Sequence, residues 1–285
     1  MNGAGNDFLI LNNMDGRLPE EQFPAMAKHL CERHLSIGAD GMMVVVKPTG
    51  DADFRMRFYN ADGSMGEMCG NGARCICRYG YETGLAGETQ RIETTAGLVT
   101  GTRIDRRHYR IRLNDPSILR TDFPVECEGA IYHGAYIELG DPGLPHAVIP
   151  IRGLADYPIR QLFDLGRALR YHSAYPKGAN VNFCEVIGTD HVLVRTYERG
   201  VEDFTYACGT GAGSTVAALT LQGLVSGRNV RVSMPGGDLS ITADIRDGAV
   251  QNLWLTGPTN IVCTGEVTDE TLFETIPSVK ETDYE

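Results

Sequence analysis

Two cysteines, each followed by a glycine-rich turn, are the residues of this chain whose types and spacing could do chemistry. The first opens Cys69-Gly70-Asn71-Gly72-Ala73, and the second opens Cys208-Gly209-Thr210-Gly211-Ala212, 139 residues later. Other landmarks repeat at the same offset: Gly84-Leu85 with Gly223-Leu224, and Gly97 with Gly236. One offset shared by several landmarks indicates two copies of one supersecondary unit, with a cysteine at the same structural point of each.

The residues around each cysteine are typical of a strand, a glycine turn and the start of a helix. A helix N-terminus has unpaired N–H groups and a partial positive charge. We therefore expect a cysteine there to have a lowered pKa and more thiolate character, and the N–H groups to bind a carboxylate. Two such sites facing each other would hold one small carboxylate between two thiols. That arrangement predicts proton transfer by two bases at the carbon next to the carboxylate.

Proton transfer of this kind needs a base on one face of the carbon and an acid on the other. Because two neighbouring thiolates repel, the pair should rest as one thiolate and one thiol, and the roles exchange when the reaction reverses. A pyridoxal phosphate enzyme would need a lysine to hold its cofactor. None of the four lysines lies in an obvious cofactor context: Lys28, Lys47, Lys177 and Lys280. The sequence therefore predicts an enzyme that uses no cofactor.

The composition is that of a soluble globular protein, with 42% hydrophobic and 22% charged residues in a chain of 285. A net charge of -11 argues against nucleic acid or an anionic membrane as a partner. The first residues are small and polar and do not resemble a secretion signal, which predicts a cytoplasmic protein. The uncharged run from Cys208 to Gly227 is rich in glycine and predicts a buried helix with its turns, not a membrane span.

The eight cysteines contain no Cys-x-x-Cys pair, which argues against a structural zinc site, and we expect no metal. Without a secretion signal we also expect no disulfide framework. Most of the cysteines should be reduced, buried small hydrophobes. Cys69 and Cys208 differ from the others because of where they lie.

The elements that must position the two cysteines follow from hydrophobic spacing. Helices are predicted at Pro24 to His34, at about Asn71 to Thr83, after Cys208, and at Ile159 to His172. Strands are predicted at Phe8 to Leu11, Met42 to Val46, Arg55 to Asn60, Ile131 to Leu139, Val192 to Tyr197, Val230 to Met234 and Leu239 to Ile245. Loops are predicted at Asn114 to Ser117 and at Asp141 to His146. The helix after Cys69 is apolar apart from a polar stripe of Arg74, Arg78 and Glu82, so it should be mostly buried.

Six segments, spread over nearly the whole chain, carry a resemblance to a known family. They are, in chain order, Gly3-Ala4-Gly5-Asn6-Asp7-Phe8, Asn60-Ala61-Asp62-Gly63-Ser64, Cys69-Gly70-Asn71-Gly72-Ala73-Arg74-Cys75, Pro145-His146, Tyr197-Glu198-Arg199-Gly200 and Ala207-Cys208-Gly209-Thr210-Gly211-Ala212. In these segments the chain resembles diaminopimelate epimerase, a cofactor-independent two-cysteine enzyme of lysine and peptidoglycan biosynthesis. Any one of these glycine-rich segments would be weak evidence, and the six in this order are strong evidence.

The resemblance implies an α+β fold of two pseudo-symmetric domains. Each domain would be a mostly antiparallel or mixed β-sheet wrapped around a central α-helix, with the site in the cleft between them. Residues 1–114 and about 262–285 would form the N-terminal domain, because the C-terminal strand returns to it, and residues 115–261 the C-terminal domain. The resemblance also implies a homodimer.

The resemblance further implies a role for each site residue. Cys69 and Cys208 would be the acid and base, and backbone N–H groups would hold the reacting carboxylate. Glu198 would take the substrate ammonium, and Arg199 would pair with the distal carboxylate, which suits its planar guanidinium. The remaining substrate-binding residues would be Asn6, Asn60 and Asn180, with Gly70, Asn71, Gly209 and Thr210 supplying the N–H groups.

The chain departs from the family pattern at several positions. Asn2 stands where the family commonly has histidine, and the strand of about five residues that usually precedes it does not appear in the sequence. Leu144 replaces an asparagine that helps to bind the distal end of the substrate, and Met65, followed by Gly66, replaces a glutamate. These changes concern the distal end of the substrate more than the reacting carbon.

Two alternatives to a diaminopimelate epimerase stay open at this point. One is the same chemistry on another amino acid, such as histidine, which Leu144 favours and Arg199 with the three asparagines disfavours. The other is a non-catalytic binding or redox-sensing paralogue, because two nearby thiols could oxidise to a disulfide. Proton exchange at an amino-acid α-carbon would distinguish either enzyme, the diaminopimelate epimerase or the racemase of another amino acid, from the non-catalytic paralogue.

Overall fold

The structure is a computed structural model that describes residues 1–66 and 69–272. Four α-helices form within these residues: α1 (Phe23–Leu30), α2 (Gly70–Glu82), α3 (Ile159–Arg170) and α4 (Gly209–Leu221). The strands of the first half are β1 (Asn2–Gly3), β2 (Asn6–Asn12), β3 (Gly41–Val46), β4 (Phe54–Asn60), β5 (Thr89–Thr94), β6 (Gly97–Arg103) and β7 (His108–Arg112). Those of the second half are β8 (Pro116–Cys127), β9 (Ala130–Leu139), β10 (Leu144–Pro150), β11 (Asn180–Gly188), β12 (His191–Glu198), β13 (Asp203–Phe204), β14 (Val230–Met234), β15 (Gly237–Arg246) and β16 (Ala249–Pro258).

The strands form one continuous sheet whose two halves have the same order. Reading inward from one edge gives β1-β2-β3-β4-β5-β6-β7, and reading inward from the other gives β8-β9-β10-β11-β12-β14-β15-β16, with β13 beside β12. From β2 and from β10, successive pairs are parallel, antiparallel, parallel, antiparallel and antiparallel in both halves. The halves meet where β7 pairs antiparallel with β16. The duplication indicated by the 139-residue offset is therefore a duplication of structure.

Each half of the sheet surrounds one central helix. Helix α2 packs against β6 and β7, and α4 packs against β15 and β16. Both helices are buried over most of their length because apolar or small residues occupy nearly all their faces. One large hydrophobic cluster contains residues of both halves, and two smaller clusters lie under α1 and α3. The predicted fold class, an α+β fold of two pseudo-symmetric sheets around central helices, is confirmed.

Several details differ from the sequence-based expectations. Pro116 and Ser117, predicted in a loop, begin strand β8, because Pro116 pairs with Leu139 of β9. Helix α1 ends at Leu30 instead of His34, whose φ of 77° is left-handed and cannot continue a helix. Leu144 to His146 belong to β10 and not to a loop, because β9 and β11 pair with them on both sides. Arg74 is completely buried, although it was assigned to a polar stripe.

Every helix in residues 1–66 and 69–272 lacks the length and apolar character needed to cross a membrane. Near the end of the described residues, the chain pairs with its own beginning. The Asn2 N–H donates to Asn260 O at 2.8 Å, and the Asn260 N–H donates to Asn2 O at 2.7 Å. Residues 273–285, which were assigned to the N-terminal domain, lie outside the described residues.

Candidate active site

Cys69 and Cys208 are the N-cap residues of α2 and α4, as the sequence predicts. Both have extended backbones, with φ/ψ of -117°/119° and -110°/107°. The two helix starts meet glycine to glycine: a Cβ added to Gly70 would lie 3.7 Å from the Gly209 Cα, and one added to Gly209 would lie 3.6 Å from the Gly70 Cα. The small residues after the cysteines therefore allow two positive helix ends to approach one common space.

That space is a cavity of about 960 Å³ between the two halves of the sheet. All of the predicted site residues line it: Asn6, Asn60, Cys69, Gly70, Asn71, Asn180, Glu198, Arg199, Cys208, Gly209 and Thr210. Leu144 and Met65, two of the positions that depart from the family pattern, also line this cavity. The structure therefore brings the whole predicted set together.

The second glycine of each motif is needed for a different reason in each half. A Cβ added to Gly211 would lie 2.2 Å from Asn182 Oδ1, and one added to Gly72 would lie 2.3 Å from Met43 Cε. Asn182 is held by the Thr196 hydroxyl, which donates to its Oδ1 at 2.9 Å. The start of α4 therefore rests on a fixed polar network, whereas the start of α2 rests on the end of a flexible apolar chain.

Both thiols are harder to ionise than an ordinary cysteine, which contradicts the expected lowering of their pKa. Burial raises the pKa of Cys208, the Glu198 carboxylate raises it further, and hydrogen bonds from Thr210 and Gly211 oppose the rise. The Gly211 N–H donates to Cys208 Sγ at 3.4 Å. Burial also raises the pKa of Cys69, against the N–H groups of Gly72 and Asn71. The loss of water around the sulfurs outweighs the helix ends in the substrate-free site.

Glu198 is the last residue of β12 and acts on both thiols. Burial raises the pKa of its carboxyl, and the Thr205 hydroxyl partly opposes this rise. In the described part of the chain, no cationic side chain pairs with Glu198. An ammonium group of a ligand would supply the missing positive charge and lower the pKa of both thiols.

Arg199 and Asn180 lie together in the lining of the same cavity. The Arg199 Nη1 donates to Lys177 O at 3.1 Å, and none of the acidic side chains in the described residues pairs with it. Asn180 is held in place because its Oδ1 accepts from the Arg199 N–H at 2.9 Å and its Nδ2 donates to Pro145 O at 3.2 Å. The guanidinium can therefore bind a carboxylate, while Asn180 fixes the backbone that carries it.

Asn6 and Asn71 form a side-chain bridge from β2 to α2. Asn71 Nδ2 donates to Asn6 Oδ1 at 2.5 Å and to Ala207 O at 2.8 Å. Asn6 Nδ2 in turn donates to Asp40 Oδ2 at 3.1 Å. Asn60 ends β4, and its Nδ2 donates to Ser64 Oγ at 3.0 Å. These amides are fixed in the cavity wall by protein partners.

A charged cluster on the cavity wall was missed by the sequence analysis. Arg33 donates to Asp7 at 2.7 Å and 3.1 Å and to Asp40 at 2.9 Å, and Asp40 holds Asn6. Asp7 lies on β2, 26 residues before Arg33, and Asp40 lies seven residues after Arg33, beyond the end of α1, so only the fold brings the three side chains together. Their only signal was their position beside predicted site loops.

His146 lies on β10 outside the cavity lining and is completely buried. Burial, helped by the charge of Arg199, lowers the pKa of His146 to about 3, so the ring is neutral. Its Nδ1 lies 3.2 Å from Asn182 Nδ2, which makes it an acceptor in the network behind Cys208. Within the described ranges, no group of three or more His, Cys, Asp or Glu side chains is arranged to hold a metal ion.

Comparisons with known proteins agree with this geometry. A family model described as diaminopimelate epimerase matches residues 1–116 and 140–262. The chain is 38% identical over 280 residues to the diaminopimelate epimerase of Methanothrix thermoacetophila, covering 95% of this chain and 96% of the relative. It is 35% identical over 284 residues to that of Aquifex aeolicus, covering 95% and 98%.

Solved structures with low sequence identity share the fold. One is methylitaconate-delta-isomerase, with a TM-score of 0.63 at 11% identity over 91% of this chain and 92% of the other. Another is a probable proline racemase from Agrobacterium radiobacter K84, with a TM-score of 0.60 at 16% identity over 87% and 83%. With its paired cysteine-capped helices and these full-length relatives, the chain belongs to the diaminopimelate epimerase family.

Proposed function

We propose that this protein is a diaminopimelate epimerase. It interconverts LL- and meso-diaminopimelate by proton transfer at the α-carbon, without a cofactor, and supplies a precursor of lysine and peptidoglycan. The observation that carries the proposal is the meeting of two cysteine-capped helix starts, with Glu198, in one cavity. Relatives over nearly the full chain carry the same name.

The proposed mechanism uses one thiol on each face of the α-carbon. The thiolate removes the α-proton as the C–H bond breaks, and the opposing thiol delivers its proton to the other face. The N–H groups of Gly70, Asn71, Gly209 and Thr210 hold the reacting carboxylate and stabilise the charge that develops on it. Glu198 binds the substrate ammonium.

The ammonium also prepares the thiols for reaction. A positive charge beside Glu198 offsets the part of the rise in the pKa of Cys208 and Cys69 that comes from this carboxylate, while the larger effect of burial remains. The site therefore forms its thiolate more readily when an amino acid is bound. The distal carboxylate pairs with Arg199, and Asn6, Asn60 and Asn180 complete the binding of the substrate.

The test is α-hydrogen exchange followed by proton NMR, with reduced protein and LL-diaminopimelate in D₂O and no added cofactor. We expect loss of the α-proton signal and appearance of the meso isomer. Cys69→Ser and Cys208→Ser should each lower turnover by about 10²- to 10⁴-fold, the usual contribution of a positioned acid or base. Cys263→Ser, which removes an exposed thiol, is the control and should keep full activity. Near-normal turnover in either site variant would contradict the two-thiol mechanism.

A second substrate is favoured by one specific observation, the position of Leu144. This side chain lines the cavity and also a smaller neighbouring cavity of about 370 Å³. A leucine there cannot donate a hydrogen bond to a distal carboxylate. Exchange on histidine or another amino acid, with none on diaminopimelate, would assign the same chemistry to a different substrate. No exchange on any amino acid, with both thiols reduced, would favour a binding or thiol-switch protein.

We also propose that the protein is a cytoplasmic homodimer with domains at residues 1–114 with about 262–285, and 115–261. Its role in precursor synthesis supports the location, and family membership supports the dimer. Asn260 pairs with Asn2 just before the proposed boundary, so the chain has already returned to the first half where the final segment begins, which supports placing that segment in the N-terminal domain. Sedimentation equilibrium would test the dimer directly, and a monomer mass would contradict it.

A further inference from the structure

Arg74, in the first turns of α2, is a buried cation without an acidic partner. Its side chain is completely buried. Nη2 donates to Asn71 Oδ1 at 2.8 Å and Nη1 donates to Gly70 O at 3.2 Å, whereas Nε has no hydrogen-bond partner. No carboxylate in residues 1–66 and 69–272 pairs with it. The backbone at Gly257 packs directly on this guanidinium, since a Cβ added there would lie 2.9 Å from Nε.

This placement is unfavourable for folding alone. Burying an unpaired charge is strongly unfavourable even after the surrounding protein relaxes. The first turns of a helix also carry the positive end of its dipole, which repels a cation. Burial accordingly lowers the pKa of Arg74 from its usual value. A charge held at such a cost near a reactive group suggests a function for the charge.

The other half of the molecule has no equivalent cation. At the 139-residue offset, the counterpart of Arg74 on α4 is Gly213. A Cβ added to Gly213 would meet Leu113 at 2.7 Å and Leu253 at 3.2 Å, so this position is enclosed by apolar side chains. The two cysteine-capped helices are therefore alike in backbone and different in charge.

The ionisable groups around Cys69 differ from those around Cys208. Glu198, from β12, raises the pKa of both thiols, and Cys69 raises the pKa of Cys208 and of its own neighbour Cys75. Arg74 lowers the pKa of Cys69, although burial, the N–H groups and Glu198 act on it more strongly, and Arg74 is not among the main influences on the pKa of Cys208. Cys77, also on α2, interacts electrostatically with Arg74 and stays protonated because burial raises its pKa to about 12.

We propose that Arg74 is a positioning residue that makes Cys69 the more acidic thiol, so that Cys69 ionises first and Cys208 keeps its proton. When the site works as proposed above, Cys69 starts as the base and Cys208 as the acid. After one turnover Cys69 carries the proton and Cys208 is the thiolate. The proton then returns from Cys69 to Cys208 through solvent, unless the next turnover runs in the reverse direction.

The test is the pH dependence of alkylation by iodoacetamide, with the Cys69 and Cys208 peptides quantified separately by mass spectrometry. In the unmodified protein we expect Cys69 to react with the lower pH midpoint. Arg74→Gln should raise the Cys69 midpoint by about one pH unit, the low end for loss of a neighbouring opposite charge, and leave that of Cys208 unchanged. Arg74→Lys, which keeps the charge, should stay close to the parent protein.

Arg78→Gln is the matched control, because Arg78 lies one turn further along α2 and pairs with Glu82 at 3.4 Å. It should move neither midpoint. Equal shifts at both cysteines, or no shift in Arg74→Gln, would overturn the proposal. If Arg74→Gln does not fold, a lower midpoint for Cys208 in the parent protein would overturn it equally. Alkylation needs no turnover, so its outcome is independent of whether diaminopimelate is the substrate.

Discussion

In the site without a ligand, the charge of the Glu198 carboxylate is unfavourable for the carboxylate itself and for ionisation of the two thiols. Burial raises its pKa, and its charge makes both thiols less acidic. An ammonium group that binds beside it would oppose the rise in its pKa and offset its effect on the two thiols. At the scale of single residues, Glu198 therefore makes the ligand-free protein less stable and the substrate-bound protein more reactive.

Replacing Glu198 with glutamine should make the protein more stable and less active. A carboxyl whose pKa is raised by folding is favourable below the unfolded pKa, and its contribution is lost as pH rises through the folded pKa. Glu198→Gln should therefore raise Tm at pH 7 to 8. The gain should disappear below about pH 4.5, where the Glu198 carboxyl is protonated in the folded and in the unfolded protein. Scanning calorimetry across this pH range measures the change. The same variant should lose kcat/KM at neutral pH.

Glu202→Gln is the control of opposite sign. The pKa of Glu202 is lowered, because the Gly200 N–H and Arg170 outweigh its burial. A lowered pKa gives stability that is present above the unfolded pKa and is lost as pH falls through the folded one. Glu202→Gln should therefore lower Tm at neutral pH. A fall of Tm in both variants would show that Glu198 is not a strained carboxylate.

Leu144→Asn should improve the binding of diaminopimelate. An amide at this position restores a polar partner beside Asn180 and Arg199, which line the same cavity. One added hydrogen bond of about 0.5–1.5 kcal/mol corresponds to a fall in KM of about 2- to 10-fold, with kcat little changed. Steady-state kinetics measures both. Leu144→Met, which keeps an apolar side chain of similar size, should give no such gain, and a higher KM in Leu144→Asn would refute the prediction.

At the scale of elements, the two helix starts share a backbone but have different supports. Behind Gly211, Asn182 contacts four protein groups, so its Oδ1 cannot move without breaking hydrogen bonds. Behind Gly72, the contact is the end of the Met43 side chain. We therefore expect a larger side chain to be tolerated better at Gly72 than at Gly211, although both occupy the same position of the motif.

Gly211→Ala should be clearly more damaging than Gly72→Ala. The new methyl group would meet Asn182 Oδ1 and would also approach Cys208 Sγ to 3.2 Å. Overpacking of this kind costs about 1–3 kcal/mol, whereas Met43 can rotate away and Gly72→Ala should cost less than about 1 kcal/mol. Urea unfolding of both variants measures the difference. Gly87→Ala, where a Cβ meets nothing within 4 Å, is the neutral control. Equal losses at Gly72 and Gly211 would contradict this account.

The positions of α2 and α4 could be predicted almost to the residue, because the cysteine and glycine pattern marks each helix start. Strand β10 was missed because Gly143 and Pro145 read locally as loop residues, while distant strands β9 and β11 determine their pairing. The Arg33 cluster was missed for the same reason, since its members meet only in the fold. The thiol pKa was predicted in the wrong direction because local sequence reports the helix end and not the burial.

At the scale of the whole molecule, Leu255 of β16 lies at the junction of both helix starts. Its Cδ2 is 3.0 Å from the position of a Cβ on Gly70 and 2.7 Å from one on Gly209. It is completely buried and belongs to the cluster that contains residues of both halves. One side chain therefore sets the spacing of the two halves of the site.

Leu255→Ala should lower both stability and turnover. A buried leucine truncated to alanine costs about 2–5 kcal/mol, and the cavity left here would loosen both cysteine-capped helices at once. Leu253→Ala is the matched control, because Leu253 is equally buried but packs on Gly213, one turn inside α4. We expect similar losses of Tm in the two variants and a larger loss of kcat in Leu255→Ala. An equal kcat in both would show that the junction does not position the thiols.

The sheet whose order repeats on either side of the β7–β16 pair has a consequence for handedness. Antiparallel strands are related by a two-fold rotation, and a two-fold rotation about an axis in the plane of a carbanion exchanges its two faces. In the proposed mechanism, a chain built twice thus offers each face of the planar reacting carbon its own cysteine and helix start. The protein itself is chiral throughout, yet it presents nearly the same groups to the two faces of the reacting carbon. The positions where the copies differ, Arg74 against Gly213 and Met43 against Asn182, are where it can tell the two hands apart.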